Sequence, residues 1–227
     1  MPVKIDNQLP LRVTVYLFSL ALLAFGVAIA VNSNLGVSSG NSLPYVLGHV
    51  WHVPLSTSII IVFSVYVLLQ IVILRKDFKP YLLMQLVFAF VFGYFVDFFQ
   101  WVLGDFRLPT YLGQLVMVVF SAFCIGSGIA MYISVHLIPL PMEGLVGAIT
   151  EALKGKVKFF VVRLTVDCIN VVLAMSLSMI FLGKLVGIRE GTVITALLLG
   201  PIVGLVQKLI TPIIDKALFD KTTPVNV

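Results

Sequence analysis

Six apolar stretches, roughly 13–33, 56–74, 81–103, 110–134, 159–182 and 191–212, dominate this chain, and a helix needs about 20 apolar residues to cross a hydrocarbon core. Lipid offers no hydrogen bonds, so each stretch must satisfy its own backbone N–H and C=O groups, and a helix does this within one segment. The composition agrees. The 227 residues are 60% hydrophobic and 11% charged, whereas a soluble domain carries roughly 25% charged residues to meet water. The expected fold is an all-α polytopic membrane protein, a single membrane domain whose first partner is the lipid bilayer.

The first stretch contains Ala28-Ile29-Ala30, which has the small-x-small form of a signal-peptidase site. Its apolar run is long for a signal segment and leads into further spans, so a retained first helix is expected. Cys124 and Cys168 lie inside apolar runs and read as packing residues. No zinc spacing, phosphate loop or dinucleotide fingerprint is present, and no cofactor or enzyme activity is expected. Nor is nucleic acid an expected partner, because the basic residues sit in short loops beside the spans. Of the 15 Lys and Arg residues, eleven (Lys4, Arg12, Arg75, Lys76, Lys79, Lys154, Lys156, Lys158, Lys208, Lys216 and Lys221) fall on the side of the N-terminus. Three (Arg107, Lys184 and Arg189) fall opposite, and Arg163 lies inside a span. The positive-inside rule then places both termini in the cytoplasm.

The chain also repeats. FGVAIAVNSNLGVSSGNSLPYVLG, from Phe25, aligns with SGIAMYISVHLIPLPMEGLVGAI, from Ser127, at a shift of 102, matching Gly26 to Gly128 and Leu35 to Leu137. Further on, GYFVDFFQ (93–100) aligns with GPIVGLVQ (200–207) at a shift of 107. Each half reads as a span, a short broken helix and two more spans. Three spans per half force the second copy upside down. Repeat one covers about 12–105, repeat two about 110–214, and a cytoplasmic tail 215–227 comes last. In transporters built this way, short or broken segments at matching places mark the binding site. Here they are 36–52 and 138–155, and each either re-enters the membrane or lies at its surface.

Gly36-Val37-Ser38-Ser39-Gly40 fits the G-x-S-x-G pattern of a nucleophile elbow, with His49 and His52 nearby. An elbow needs a strand leading in, and here the lead-in is an apolar helix. In the second copy Ser38 becomes Leu140, so the shared feature is a chain break followed by a helix. Ser38, Ser39, Asn41 and Ser42 are good N-cap types. A helix N-terminus carries unpaired N–H groups and about half a positive charge, so it attracts anions and carbonyl oxygens.

Polar residues inside spans are expensive and point to partners or pathways. Arg163, Asp167 and Asn170 fall on one helical face. One reading is a self-neutralising pair that locks its helix to neighbours. The other is an anion anchor, Arg163, oriented by Asp167 and Asn170. Asp97 has no basic residue in its own span, which makes Arg163 its natural partner, or makes Asp97 the carrier of a coupling charge. Glu143 begins the second short helix as a first-turn carboxylate. Gly200-x-x-x-Gly204 is a close-packing pattern for helices.

VGIREGTVITALLLGPIVGLVQK (186–208) resembles the final-span signature of the bacterial YitT/YczE family of membrane proteins, and Arg163-x-x-x-Asp167 stands where that family tends to have it. Where the family often reads L-G-x-x-P-W-D, this chain has Leu35-Gly36-Val37-Ser38-Ser39-Gly40. The resemblance implies a small protein of the bacterial inner membrane, with transport its commonly suspected role. The combined expectation is a secondary transporter of a small anionic or zwitterionic solute, with or without a coupling ion, compatible with a homo-oligomer. Its solute would meet Arg163, Asp167, Asn170, Asp97, Ser38, Ser39, Asn41 and Glu143. A non-transporting accessory protein that stabilises a partner is the alternative.

Overall fold

The computed structural model describes residues 8–218, and all regular elements among them are helical. Eight α-helices run in order: α1 Leu9–Asn32, α2 Ser39–Trp51, α3 Leu55–Leu74, α4 Met84–Leu103, α5 Tyr111–Ser134, α6 Pro141–Ala152, α7 Phe159–Leu182 and α8 Glu190–Leu218. Two 3-10 turns, Arg75–Asp77 and Pro80–Leu83, link α3 to α4. Six helices are long and apolar enough to cross a membrane, and they coincide with the six expected spans within a few residues. α2 and α6, 13 and 12 residues long, fall where the two short segments were expected. The last apolar span ends at Ile214, and α8 continues as helix to Leu218. Lys4 and residues 219–227, with Lys221, lie outside the described residues.

The backbone repeats at the interval read from the sequence. α1 ends at Asn32 and α5 at Ser134, and each is followed by a left-handed residue, Asn34 (φ 60°) and His136 (φ 53°). Extended Ser38 and Leu140 then open the short helices, which stop at left-handed His52 and just before left-handed Lys154. Every one of these pairs is 102 residues apart. The turn chemistry is duplicated although the residue types differ.

α1 and α5 cross at the centre, with α4 against α1 and α8 against α5. α3 packs on α4 and α6, and α7 packs on α2 and α6. The crossing depends on two glycines, again 102 apart. A Cβ on Gly26 would lie 2.9 Å from the Ile125 nitrogen and 2.9 Å from the Ser121 oxygen, and one on Gly128 would lie 2.7 Å from the Ser19 oxygen. Backbone meets backbone there, as small residues permit between helices in lipid, where packing rather than water drives association. Tyr16, Leu20, Leu23, Ile125, Ile129 and Tyr132 fill the surrounding core, and large apolar side chains such as Phe18, Val72, Tyr94 and Trp101 face outward.

Two expectations about packing are corrected. Gly200 lies under the Phe160 ring, but a Cβ on Gly204 would meet nothing within 4 Å, so this pair does not make a close helix crossing. α8 instead meets α5 at Gly126, beside Ile202. Cys124 is buried, but Cys168 faces out of the bundle and packs nothing into the core.

Gly26→Ala and Gly128→Ala are expected to lower the melting midpoint of the detergent-solubilised protein sharply, since overpacking costs about 1–3 kcal/mol and more where backbone blocks relief. Gly147→Ala, in open space, should leave the midpoint unchanged or slightly raised. Equal effects at all three positions would contradict the crossing.

Candidate functional site

After α1 the chain turns back into the bundle. Its return loop is held by three bonds: the Val37 N–H to the Gly187 carbonyl (2.9 Å), the Gly191 N–H to the Leu35 carbonyl (2.7 Å), and the Arg189 guanidinium to the Asn34 carbonyl (3.1 Å). Gly36 sits at φ 108° with Thr192 Oγ1 and the Arg189 nitrogen where a Cβ would go, so only glycine fits. The loop after α5 is held by side chains instead. Arg12 donates to the Val135 and His136 carbonyls (2.9 and 3.2 Å), the Tyr16 hydroxyl to the Ile138 carbonyl (2.8 Å), and Gln70 to the Pro141 carbonyl (3.1 Å). Both loops deliver the chain to the middle of the bundle, where a short helix begins.

The two short helices meet end to end. Ser38, Ser39, Asn41 and Ser42 at the start of α2 are buried, as are Pro141, Met142 and Glu143 at the start of α6, while Trp51, His52, Glu151 and Ala152 at their far ends are exposed. The Met142 sulfur lies 2.8 Å from where a Gly40 Cβ would stand. Between the two N-termini is a void of about 30 Å³ to which all eight helices contribute, including Leu23, Phe63, Phe92 and Leu199 from four of the long ones. Ser38, Asn41, Glu143 and Arg163 line it too.

Arg163 reaches this point from α7. It donates from its Nη1 to Glu143 (2.5 Å) and from its Nε to Asp167 (3.2 Å). Both carboxylates are about nine-tenths buried, and one guanidinium serving two carboxylates leaves one formal negative charge in excess. The two helix ends offset it with partial positive charge. The Tyr132 hydroxyl stands beside Glu143 and the Ser39 hydroxyl beside Asp167, and neither completes a hydrogen bond. Asp167 Oδ1, Asn41 Oδ1 and Asn170 Nδ2 are likewise buried without a partner. Asn41 does donate to Ser38 Oγ (3.0 Å), and Asn170 accepts from the Tyr66 hydroxyl (2.8 Å).

The structure thus gathers Arg163, Asp167, Glu143, Ser38, Ser39 and Asn41, with Asn170 one turn further along α7. Asp97 does not join them. Its carboxylate accepts from the Ser56 N–H (3.1 Å) and the Ser56 hydroxyl at the start of α3, capping that helix from α4. The partner expected for it, Arg163, is taken by Glu143. The nucleophile elbow finds none of its geometry: Ser38 and Ser39 open a helix, and His49, ten residues along α2, is about 15 Å away at 1.5 Å per residue. It is bonded to the Tyr45 carbonyl instead.

Residues beyond those read from the sequence complete the site. Gln70 and Gln85, both fully buried, exchange amide hydrogen bonds (3.0 and 3.1 Å). They flank a cavity of about 420 Å³ that holds Asp77, Lys79 and Glu151 and reaches inward to Glu143. Their signal was two amides in apolar runs. Tyr66 and Tyr132 gave none, because aromatic residues in a span read as ordinary core. At the opposite end, a cavity of about 730 Å³ with Tyr45, His49, His52, Gln100 and Lys184 on its walls does not reach the ion cluster.

Arg163→Met alone is expected to cost about 3–5 kcal/mol, since it strands two buried carboxylates, and adding Glu143→Gln and Asp167→Asn should restore part of the loss. Asp97→Ala and Ser56→Ala should each cost about 1–3 kcal/mol and be non-additive. Asp97→Ala and Arg163→Met should add. Unfolding of the detergent-solubilised variants checks both, and coupling between Asp97 and Arg163 would overturn the separation.

Comparison with known proteins places the chain. The uncharacterized membrane protein YczE of Bacillus subtilis (strain 168) is 29% identical over 197 residues, which cover 86% of this chain and 84% of that protein. No solved structure matches. The family of unknown function DUF6198 matches residues 10–208. This integral membrane protein belongs to the DUF6198 family.

Proposed function

We propose that the protein is a secondary transporter of a small zwitterionic solute across the bacterial inner membrane, with the solute held where α2 and α6 meet. The observation that carries this reading is the meeting itself. Two short helices present their N-termini to each other in the middle of six spans, around an arginine shared by two carboxylates. Half-helices of this kind supply N–H groups and partial charge to a solute at the bilayer midplane. The packing supports two inverted halves, because exchanging α1 with α5, α2 with α6, α3 with α7 and α4 with α8 turns most observed neighbours into observed neighbours. In this reading α2 and α6 are re-entrant, entering from opposite faces. The distribution of basic residues supports cytoplasmic termini, and in that orientation the cavity beside Gln70 and Gln85 is the cytoplasmic approach and the void a closed site.

A zwitterion is favoured over a simple anion because Arg163 already serves two carboxylates. A solute carboxylate must compete with Glu143 or Asp167 for it, and the solute's ammonium then compensates the one displaced. The accessory-protein reading has its own support in the same trio: Arg163, Glu143 and Asp167 complete one another and fasten α6 to α7 without any ligand.

Thermal unfolding of the solubilised protein against amino acids and related zwitterions separates the two readings. A ligand at about 100 times its Kd adds roughly 2.7 kcal/mol of stability. The shift should vanish in an Arg163→Met/Glu143→Leu/Asp167→Asn protein that still folds, and proteoliposomes should take up the same ligand. A broad panel without a single shift, together with full biological activity of the triple variant, would favour the accessory role.

A further inference from the structure

The cavity between α7 and α8 differs from the other openings in where it leads. It holds about 370 Å³, within the range of small-molecule sites. Apart from Gln207 its walls are apolar, formed by residues such as Ile133, Phe160, Leu164, Ala196, Leu199 and Val203, and its deep end is the trio of Arg163, Glu143 and Asp167. Phe160 and Leu164 are exposed on the flank of the bundle, so the mouth faces the bilayer. Its origin lies in a difference between the halves. In the first half Asp97 of α4 bonds Ser56 of α3, and those helices pack along their length. At the shift of 107 its counterpart is Gly204. A Cβ there would meet nothing within 4 Å, and α7 and α8 barely touch.

The charge at the deep end selects a head group. Two carboxylates face one guanidinium, and Asp167, 7% exposed, keeps Oδ1 without a hydrogen bond. A buried acceptor left unpaired costs about 1–3 kcal/mol, and an ammonium supplies the donor. We propose that this cavity binds an amphiphile with a primary ammonium head and an apolar tail, admitted from the bilayer between α7 and α8. The head lies against Asp167 and Glu143, and the tail lies along Phe160, Leu199 and Val203. Movement of the bound amphiphile across the membrane rests on the transport reading, whereas its binding in the cavity does not.

The test uses the full chain in lipid nanodiscs, with n-octylamine, n-octanoate and tail-free glycine as probes of thermal unfolding. Octylamine is expected to raise the melting midpoint, and octanoate is not. Gly204→Leu, at a position where a Cβ meets nothing within 4 Å, puts a side chain into the cavity, and Ala196→Phe fills it from another position. Each should weaken octylamine at least about tenfold, which is 1.4 kcal/mol, with an unliganded midpoint near that of the parent. Octanoate matching octylamine, or octylamine binding unchanged in both filled variants, would overturn the proposal. If glycine stabilises parent and filled variants alike while octylamine does nothing, the amphiphile is excluded and the transport reading survives. If octylamine binds as expected but proteoliposomes never move it, the cavity stands and only movement of the amphiphile falls.

Discussion

Two helix N-termini facing each other inside an apolar bundle are the constraint on which the rest depends. Each end carries unpaired N–H groups and partial positive charge, and in low dielectric the two ends repel with no water to screen them. Glu143 and Asp167 supply the opposite sign, and Arg163 keeps both carboxylates from being stranded. Removing any member leaves the others in a worse state than before. The return loops answer the same demand. Chain that re-enters an apolar bundle in extended form must bond its backbone to something, which Gly187, Gly191 and Arg189 do on one side and Arg12, Tyr16 and Gln70 on the other. Gly26 and Gly128 let α1 and α5 close behind the loops.

The spans, the short helices and the interval of 102 were legible in the sequence because each rests on local chemistry repeated along the chain. Apolar runs of bilayer length leave little choice of structure. A left-handed turn such as those at Asn34 and His136 is set within a few residues. The gathering of Ser38, Ser39, Asn41 and Arg163 was legible because polar groups in apolar runs must find one another. What the sequence hid was which partner each would find. Asp97 and Arg163 are an obvious pair on charge alone, yet Asp97 meets an unpaired helix start at Ser56, a need that exists only once α3 and α4 are packed. Glu143 looked sufficient as a first-turn carboxylate, and it is one. That a guanidinium from another helix stands 2.5 Å away depends on the orientation of α7.

The same limit explains Gly200 and Gly204. A small-residue pair four apart states that a close approach is permitted, not that one occurs. α8 spends its close contact on α5 through Gly126, and the face bearing Gly204 is left with space beside it. Tyr66 and Tyr132 are the converse case: their rings satisfy the core, and only packing shows that their hydroxyls stand among the site's polar atoms.

The two stretches of chain that share these turns differ in how their last two helices pack. In the first, Asp97 joins α4 to α3. The second has glycine at the matching place, and α7 is bound inward, to α2 and α6, rather than to α8. α7 also carries all of the guanidinium charge at the centre. The cavity beside Gly204 lies where the first half has its α3–α4 contact. The difference comes down to a single pair of aligned positions, Asp97, which bonds across to α3, and Gly204, which has open space beside it.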